Sequence, residues 1–136
     1  FGLQLVPKHE VRKVITAAQD ISHAIIFEND QCPTSRQKVY WVDFLNQPTA
    51  VMMGVEVYAK RYNYVVVMAK VKKLHRGFYV LVFELLSEQP RELAVGELST
   101  LHTRTLEKQI LEAPPFWLWS HRRWKRSRAD YVKNVN

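Results

Sequence analysis

Long apolar runs are missing from this sequence. The most apolar stretches, such as YVVVMA at 64–69, are strand-sized and fall well short of the about 18 residues that a transmembrane helix requires. Cysteine is nearly absent. Cys32 alone excludes an internal disulfide and a cysteine-rich metal site, which suits a reducing compartment. Glycine is scarce too, with four in 136 residues. There is no Gly-rich phosphate loop, no GxSxG elbow, no HExxH and no CxxC, so the usual devices for nucleotide binding, serine hydrolysis and zinc chemistry are absent. The chain opens on Phe1 without an initiator methionine and without a charged stretch leading into an apolar one. Nothing resembles a signal peptide, and Phe1 points to a chain cut from something longer.

What remains is enough for one folded domain over 1–136, with a single core. The hydrophobic fraction of 47% and charged fraction of 24% lie near globular averages. A net charge of +7 favours an anionic partner, either nucleic acid or the anionic face of a membrane.

Along the chain, Val11, Val14, Ile15 and Ala18 recur at helical spacing after Pro7, and the apolar run Ala24 to Phe27 predicts a strand buried on both faces and ended by Asn29 and Asp30. DQCPTSRQ is a turn-forming loop, and VYWVDFL at 39–45 has the β-branched and aromatic content of a strand. From Thr49 to Tyr62 the positions Val51, Val55, Tyr58 and Tyr62 share a helical face, predicting an amphipathic helix capped by Thr49. Strands at 64–71 and 78–86 flank KKLHRG, whose Gly77 permits a hairpin turn. A helix over 99–112, with Leu106, Ile110 and Ala113 on one stripe, ends at Pro114 and Pro115. The order predicts an α/β domain with a mixed sheet and helices packed on it.

Three motifs bear on chemistry. HAIIFE (His23, Glu28) and HTRTLE (His102, Glu107) both place an acid five positions after a histidine, as a base oriented by a carboxylate would need. Roughly half a match is expected by chance. On a strand such residues face opposite ways, and on a helix they lie about 140° apart, so both histidines are expected to be surface or interface residues. Asp30 and Gln31 in ENDQCP fall just past a strand end, where ligands gather in open α/β sheets, although Asn and Asp also end strands through turn chemistry alone. Finally, PPFWLWSHRRWKRSR at 114–128 holds three tryptophans and five Lys/Arg side chains. Trp117, His121 and Trp124, spaced i, i+4, i+7, predict the buried face of a last helix. Its arginines are either solvated or grip phosphates.

Taken together, the strand ending in NDQ, the stretch YWVDFLNQPTAVMMG, YAKRYNYVVV, HRGFYV and the closing PPFWLWSHRRWK resemble the C-terminal half of the lipid A biosynthesis (late) acyltransferase family, which includes related lysophospholipid acyltransferases. The resemblance covers essentially the whole chain. It is most specific at Trp119, His121, Arg122, Arg123, Trp124 and Lys125.

The resemblance implies a partial acyltransferase fold lacking its N-terminal half. The family's Asn-His-x4-Asp/Glu signature lies upstream of the DQ segment and does not occur here: Ser22 precedes His23 and Leu101 precedes His102. The chain alone is therefore expected to be inactive. In the parent protein, a fatty acyl group would move from acyl carrier protein or acyl-CoA to a hydroxyl of a lipid A precursor or lysophospholipid, with no metal and no cofactor, at the cytoplasmic face of the bacterial inner membrane. Asp30 and Gln31 would line the substrate site. Arg122, Arg123 and Lys125 would bind lipid phosphate, carrier protein or the anionic membrane surface, and Trp119 and Trp124 would pack the last helix or meet lipid. The fragment is expected to be soluble and to self-associate through uncovered apolar surface. The rivals are a basic nucleic-acid-binding module, which no recognised motif supports, and a non-catalytic interaction domain.

Overall fold

The computed structural model describes residues 2–7, 9–18 and 20–132; Phe1 lies outside them. The elements are α1 (Val11–Ala17), β1 (Val39–Phe44), β2 (Gln47–Met52), α2 (Gly54–Tyr62), β3 (Val66–His75), β4 (Phe78–Ser87), α3 (Glu97–Glu112), a 3-10 turn (Pro114–Phe116) and α4 (Arg128–Val132). The class is mixed α/β with helices packed on sheet. The strands form two separate antiparallel hairpins, β1–β2 and β3–β4, instead of one continuous sheet.

The first hairpin replaces the predicted start of a helix at Thr49. Leu45 and Asn46 both take positive φ, at 50° and 60°, the geometry of the tight turns whose twist matches paired strands. The turn is held from outside by Glu107 of α3, which accepts a hydrogen bond from Leu45 N–H at 2.6 Å. Residues 47–52 then pair back on β1, with Trp41 opposite Ala50, and α2 begins only at Gly54. Thr49 is a buried strand residue, not a cap.

Helix α2 stops at Asn63, which is left-handed at φ 57°, a common helix ending. Its last carbonyls are taken by Arg91, which donates to Lys60 O and Arg61 O. In β3–β4 the Arg76–Gly77 turn uses glycine at φ 81°, and Val71 faces Leu81 across the ribbon. Both strands and α3 form close to where the sequence puts them.

Ala59 of α2, Val66 of β3 and Leu98 of α3 form a buried cluster with Val55, Leu86 and Leu93 against it. A second centre surrounds Phe44, whose ring meets Trp117 edge-on at 5.7 Å and Trp124 at 6.2 Å. Gly96, the residue before α3, sits at φ 85°, and a Cβ there would overlap the Tyr40 ring. Gly96→Ala therefore combines left-handed backbone strain with overpacking, an expected loss of about 3 kcal/mol readable by urea unfolding.

Two predicted elements are not formed. Residues 22–29 form no helix and belong to no ladder, and Ile26 is 78% exposed. A strand buried on both faces needs neighbours, and among the described residues none pairs with this segment. Nor do Trp117, His121 and Trp124 lie on a helix. Residues 117–127 run through tight turns, with Trp119 N–H bonded to Trp117 O and Arg123 N–H to His121 O.

Candidate functional site

Alternation along the β3–β4 ribbon puts Val67, Ala69, Val71 and Lys73 on one face, beside their cross-strand partners Leu85, Phe83, Leu81 and Tyr79. Part of this face walls a cleft of about 810 Å³, a size typical of small-molecule sites. Val55, Tyr58 and Ala59 of α2 and Leu106 of α3 add further apolar lining. Polar groups enter chiefly from two places: segment 23–30, with Asn29 and Asp30, and α3, with His102 and Gln109.

Segment 23–30 is held against the cleft by rings in place of a sheet. Phe27 stacks on Tyr58 at 5.9 Å, Tyr58 on Tyr62, and Tyr62 on Tyr64. His23 completes the series edge-on to Tyr64, with Nε2 2.9 Å from the Tyr64 hydroxyl and Nδ1 2.7 Å from Ile21 O. Both its nitrogens are thereby occupied, and neither bond reaches Glu28. Glu107 is likewise engaged elsewhere, with Leu45 N–H and Arg104. Neither histidine forms a dyad with the acid five positions on.

His102 nonetheless belongs to the cleft. Its relation is to Asp30, from a segment seventy residues earlier, and not to Glu107. Burial holds its imidazole below the ordinary histidine range; the Asp30 charge opposes this and the Arg123 charge reinforces it. The Nδ1 atom is enclosed and lacks a hydrogen-bond partner among the described residues, which is uncommon for a buried polar atom. Spacing paired this residue with Glu107 and expected it at the surface; instead it is largely enclosed, and the charges that bear on it, Asp30 and Arg123, are not its neighbours in sequence.

Of the residues singled out in the sequence, the structure brings Asp30 and Arg123 into electrostatic contact. Arg123 is 5% exposed and donates to Ala50 O at 2.7 Å, so it does not reach the surface. Arg122 and Lys125 are exposed and line no part of the cleft, and Gln31 is exposed beside Asp30. Trp124 donates through Nε1 to Thr49 Oγ1 at 2.8 Å. Trp119 remains exposed, its Nε1 bonded to Pro114 O.

The tryptophan- and arginine-rich stretch is thus a clamp. His121 Nε2 accepts the Cys32 N–H at 2.9 Å, which puts the ring proton on Nδ1. Arg126 donates to Pro33 O at 2.7 Å, and the Tyr131 hydroxyl to the same oxygen at 3.0 Å. Burial, with Cys32 beside it, pushes the Tyr131 phenol up to about 12. These bonds fix the loop that follows Asp30, and Arg123 and Trp124 fasten the same stretch to β2. Among the described residues no three His, Cys, Asp or Glu side chains converge as metal ligands would.

An α/β chain with an apolar cleft and a few ionisable groups at its wall has the makings of a protein that handles a long apolar ligand. The comparison with protein families is specific: the model for the bacterial lipid A biosynthesis acyltransferases matches residues 1–126, and the chain belongs to that family. No curated protein and no solved structure matches it. Its function is therefore of the lipid A acyltransferase type, with an acyl donor and a lipid A acceptor as the general substrates. No helix among the described residues is long and apolar enough to cross a membrane.

Proposed function

We propose that this chain is the C-terminal portion of a membrane-associated acyltransferase that moves a fatty acyl chain from acyl carrier protein or acyl-CoA to a hydroxyl of a lipid A precursor or lysophospholipid at the cytoplasmic face of the inner membrane. The apolar cleft of about 810 Å³ with Asp30 and His102 at its wall carries the proposal. A saturated chain needs an apolar, water-excluding slot and little else. The ribbon face and α2 supply an apolar wall for such a chain, running about 23 Å along β3 between residues 66 and 73.

In this reading the chain supplies walls and positioned charge. Asp30, set by the clamped loop and flanked by His102 and Arg123, forms the rim at which the reacting groups meet, with Gln31 beside it. As the family resemblance implies, the general base would come from an Asn-His-x4-Asp/Glu motif in an upstream segment; neither His-x4-Glu pair here is joined, since His23 is bonded to Ile21 O and Tyr64 and Glu107 to Leu45 N–H and Arg104. Base-assisted attack of the acceptor hydroxyl on the thioester carbonyl then releases the carrier thiol. A nucleic-acid role gains nothing from the fold, since Arg123 and Arg126 are spent on internal carbonyls.

The test is displacement of a fluorescent fatty acid from the 136-residue chain. Lauroyl-CoA should displace it, CoA without the acyl chain should not, and Ala69→Trp, which fills the slot, should weaken lauroyl-CoA binding by about tenfold or more. Equal displacement by CoA and lauroyl-CoA, or none by either, would sink the proposal. The chain alone should transfer no laurate.

A further inference from the structure

We infer that His102 is a neutral hydrogen-bond donor, through Nε2–H, to the carbonyl oxygen of the acyl group, a role that rests on the acyl-binding function proposed above. His102, Leu106 and Gln109 recur at i, i+4 and i+7 on α3, and all three line the cleft. Near the start of α3, Leu98 packs with Val66; just past its end, Lys73 Nζ lies 6.0 Å from the Phe116 ring. Helix and β3 therefore run the same way along the cleft, and His102, one turn past Leu98, stands toward the Val66 end. The Asp30 charge reaches it, while Ala69, Val71 and Leu106 line the way beyond. A chain laid along that apolar wall brings its first carbon, the carbonyl, to the imidazole.

The two ring nitrogens are not equivalent. Nδ1 is sealed and has no hydrogen-bond partner among the described residues; Nε2 has none either but is not sealed. A proton on Nδ1 would be a buried N–H with nothing to receive it, a rarer state than a buried acceptor left idle. The proton therefore sits on Nε2, the reverse of His121, whose Nε2 accepts from Cys32 N–H.

In that form Nε2 cannot take a proton from the acceptor hydroxyl, because the one it carries would have to move to the sealed side. Burial and the Arg123 charge also resist an imidazolium. What is left is donation to an oxygen. Asp30 lines the same cleft and disfavours an anionic one, so the uncharged carbonyl of a thioester or ester fits where a free carboxylate does not.

The test pairs lauroyl-CoA with S-dodecyl-CoA, the thioether with a methylene in place of the carbonyl, as competitors of a fluorescent fatty acid on the 136-residue chain. Lauroyl-CoA should bind about fivefold more tightly, the worth of one neutral hydrogen bond. In His102→Phe the two should bind alike, with S-dodecyl-CoA held as before, and His102→Gln, which keeps an N–H, should retain a preference. Imidazole nitrogen NMR spectra at neutral pH should show Nε2 protonated and Nδ1 bare, and lauroyl-CoA should move the Nε2–H resonance more than the thioether does. A proton on Nδ1, or a preference that survives in His102→Phe, overturns the inference. Equal binding of both compounds by the unaltered chain overturns it and leaves the acyl-binding function standing; binding of neither overturns both.

Discussion

Arg123→Ala will destabilise the protein by about 3 kcal/mol, whereas Arg122→Ala, one residue away, will cost less than about 0.5 kcal/mol. The sequence offers no reason to separate the two. In the structure Arg123 is 5% exposed, gives a 2.7 Å hydrogen bond to Ala50 O and lies near Asp30, Cys32 and Tyr131, while Arg122 is exposed. Removing the buried guanidinium strips Ala50 O of a charge-assisted donor and leaves the Asp30 charge without its counterweight.

The same variant has a second readout. Burial is the main cause of the lowered His102 pKa; the Asp30 charge opposes it and the Arg123 charge adds to it. Without the arginine the imidazole should titrate at higher pH, seen in its NMR shifts, and in Arg122→Ala it should not move. Chemical unfolding of the two variants checks the stability difference. Equal losses in both would return Arg123 to the surface role that the sequence suggested.

That contrast shows where the sequence was legible. Helix α3 and the β3–β4 hairpin carry their own instructions: a prolonged apolar stripe closed by two prolines, and two β-rich runs around a glycine that takes φ 81°. Strand β2 was hidden because Val51, Val55 and Tyr58 also fit a helical face. The sign overlooked was Asn46 just before Gln47 and Pro48, at a turn that requires positive φ. Residues 24–27 have a strand's composition without neighbours to pair with. In 117–124 the helical spacing is real, but bonds to Ala50, Thr49 and Cys32 outweigh it, and no local pattern announces bonds to residues some seventy to ninety positions away. Asp30 could be singled out from its place after an apolar run. His102 drew notice only through Glu107, whereas the charges that bear on it are those of Asp30 and Arg123, both distant in sequence.

Glu56→Gln should cost about 3 kcal/mol at neutral pH, and the difference from the unaltered protein should shrink as the solution is acidified. Glu56 of α2 is 2% exposed, and its carboxylate reaches the start of α3. One oxygen accepts Gly96 N–H at 2.6 Å; the other accepts Ser99 N–H at 3.1 Å and Ser99 Oγ at 2.7 Å. Lys60, one turn along α2, lies 3.2 Å away and also binds Leu93 O and Ala94 O. A carboxylate from another helix thus satisfies donors that the start of α3 would otherwise leave open, at the positive end of its dipole. Burial raises the Glu56 pKa, but the bonds from Gly96, Ser99 and Lys60 more than offset it and hold the carboxyl below its ordinary 4.5. A group depressed on folding adds stability that is fully present above its unfolded pKa and is lost as pH falls through the folded one. In urea unfolding, the gap between the unaltered protein and the Glu56→Gln variant should therefore be widest above about pH 5 and close below the folded pKa. A gap that stays constant down to about pH 3 would mean that shape, not charge, joins α2 to α3. The stakes extend to the cleft, since α2 supplies Val55, Tyr58 and Ala59 to one wall while α3 brings His102 to Asp30. Loosening the joint between these helices should weaken acyl binding in the same pH range in which it lowers stability.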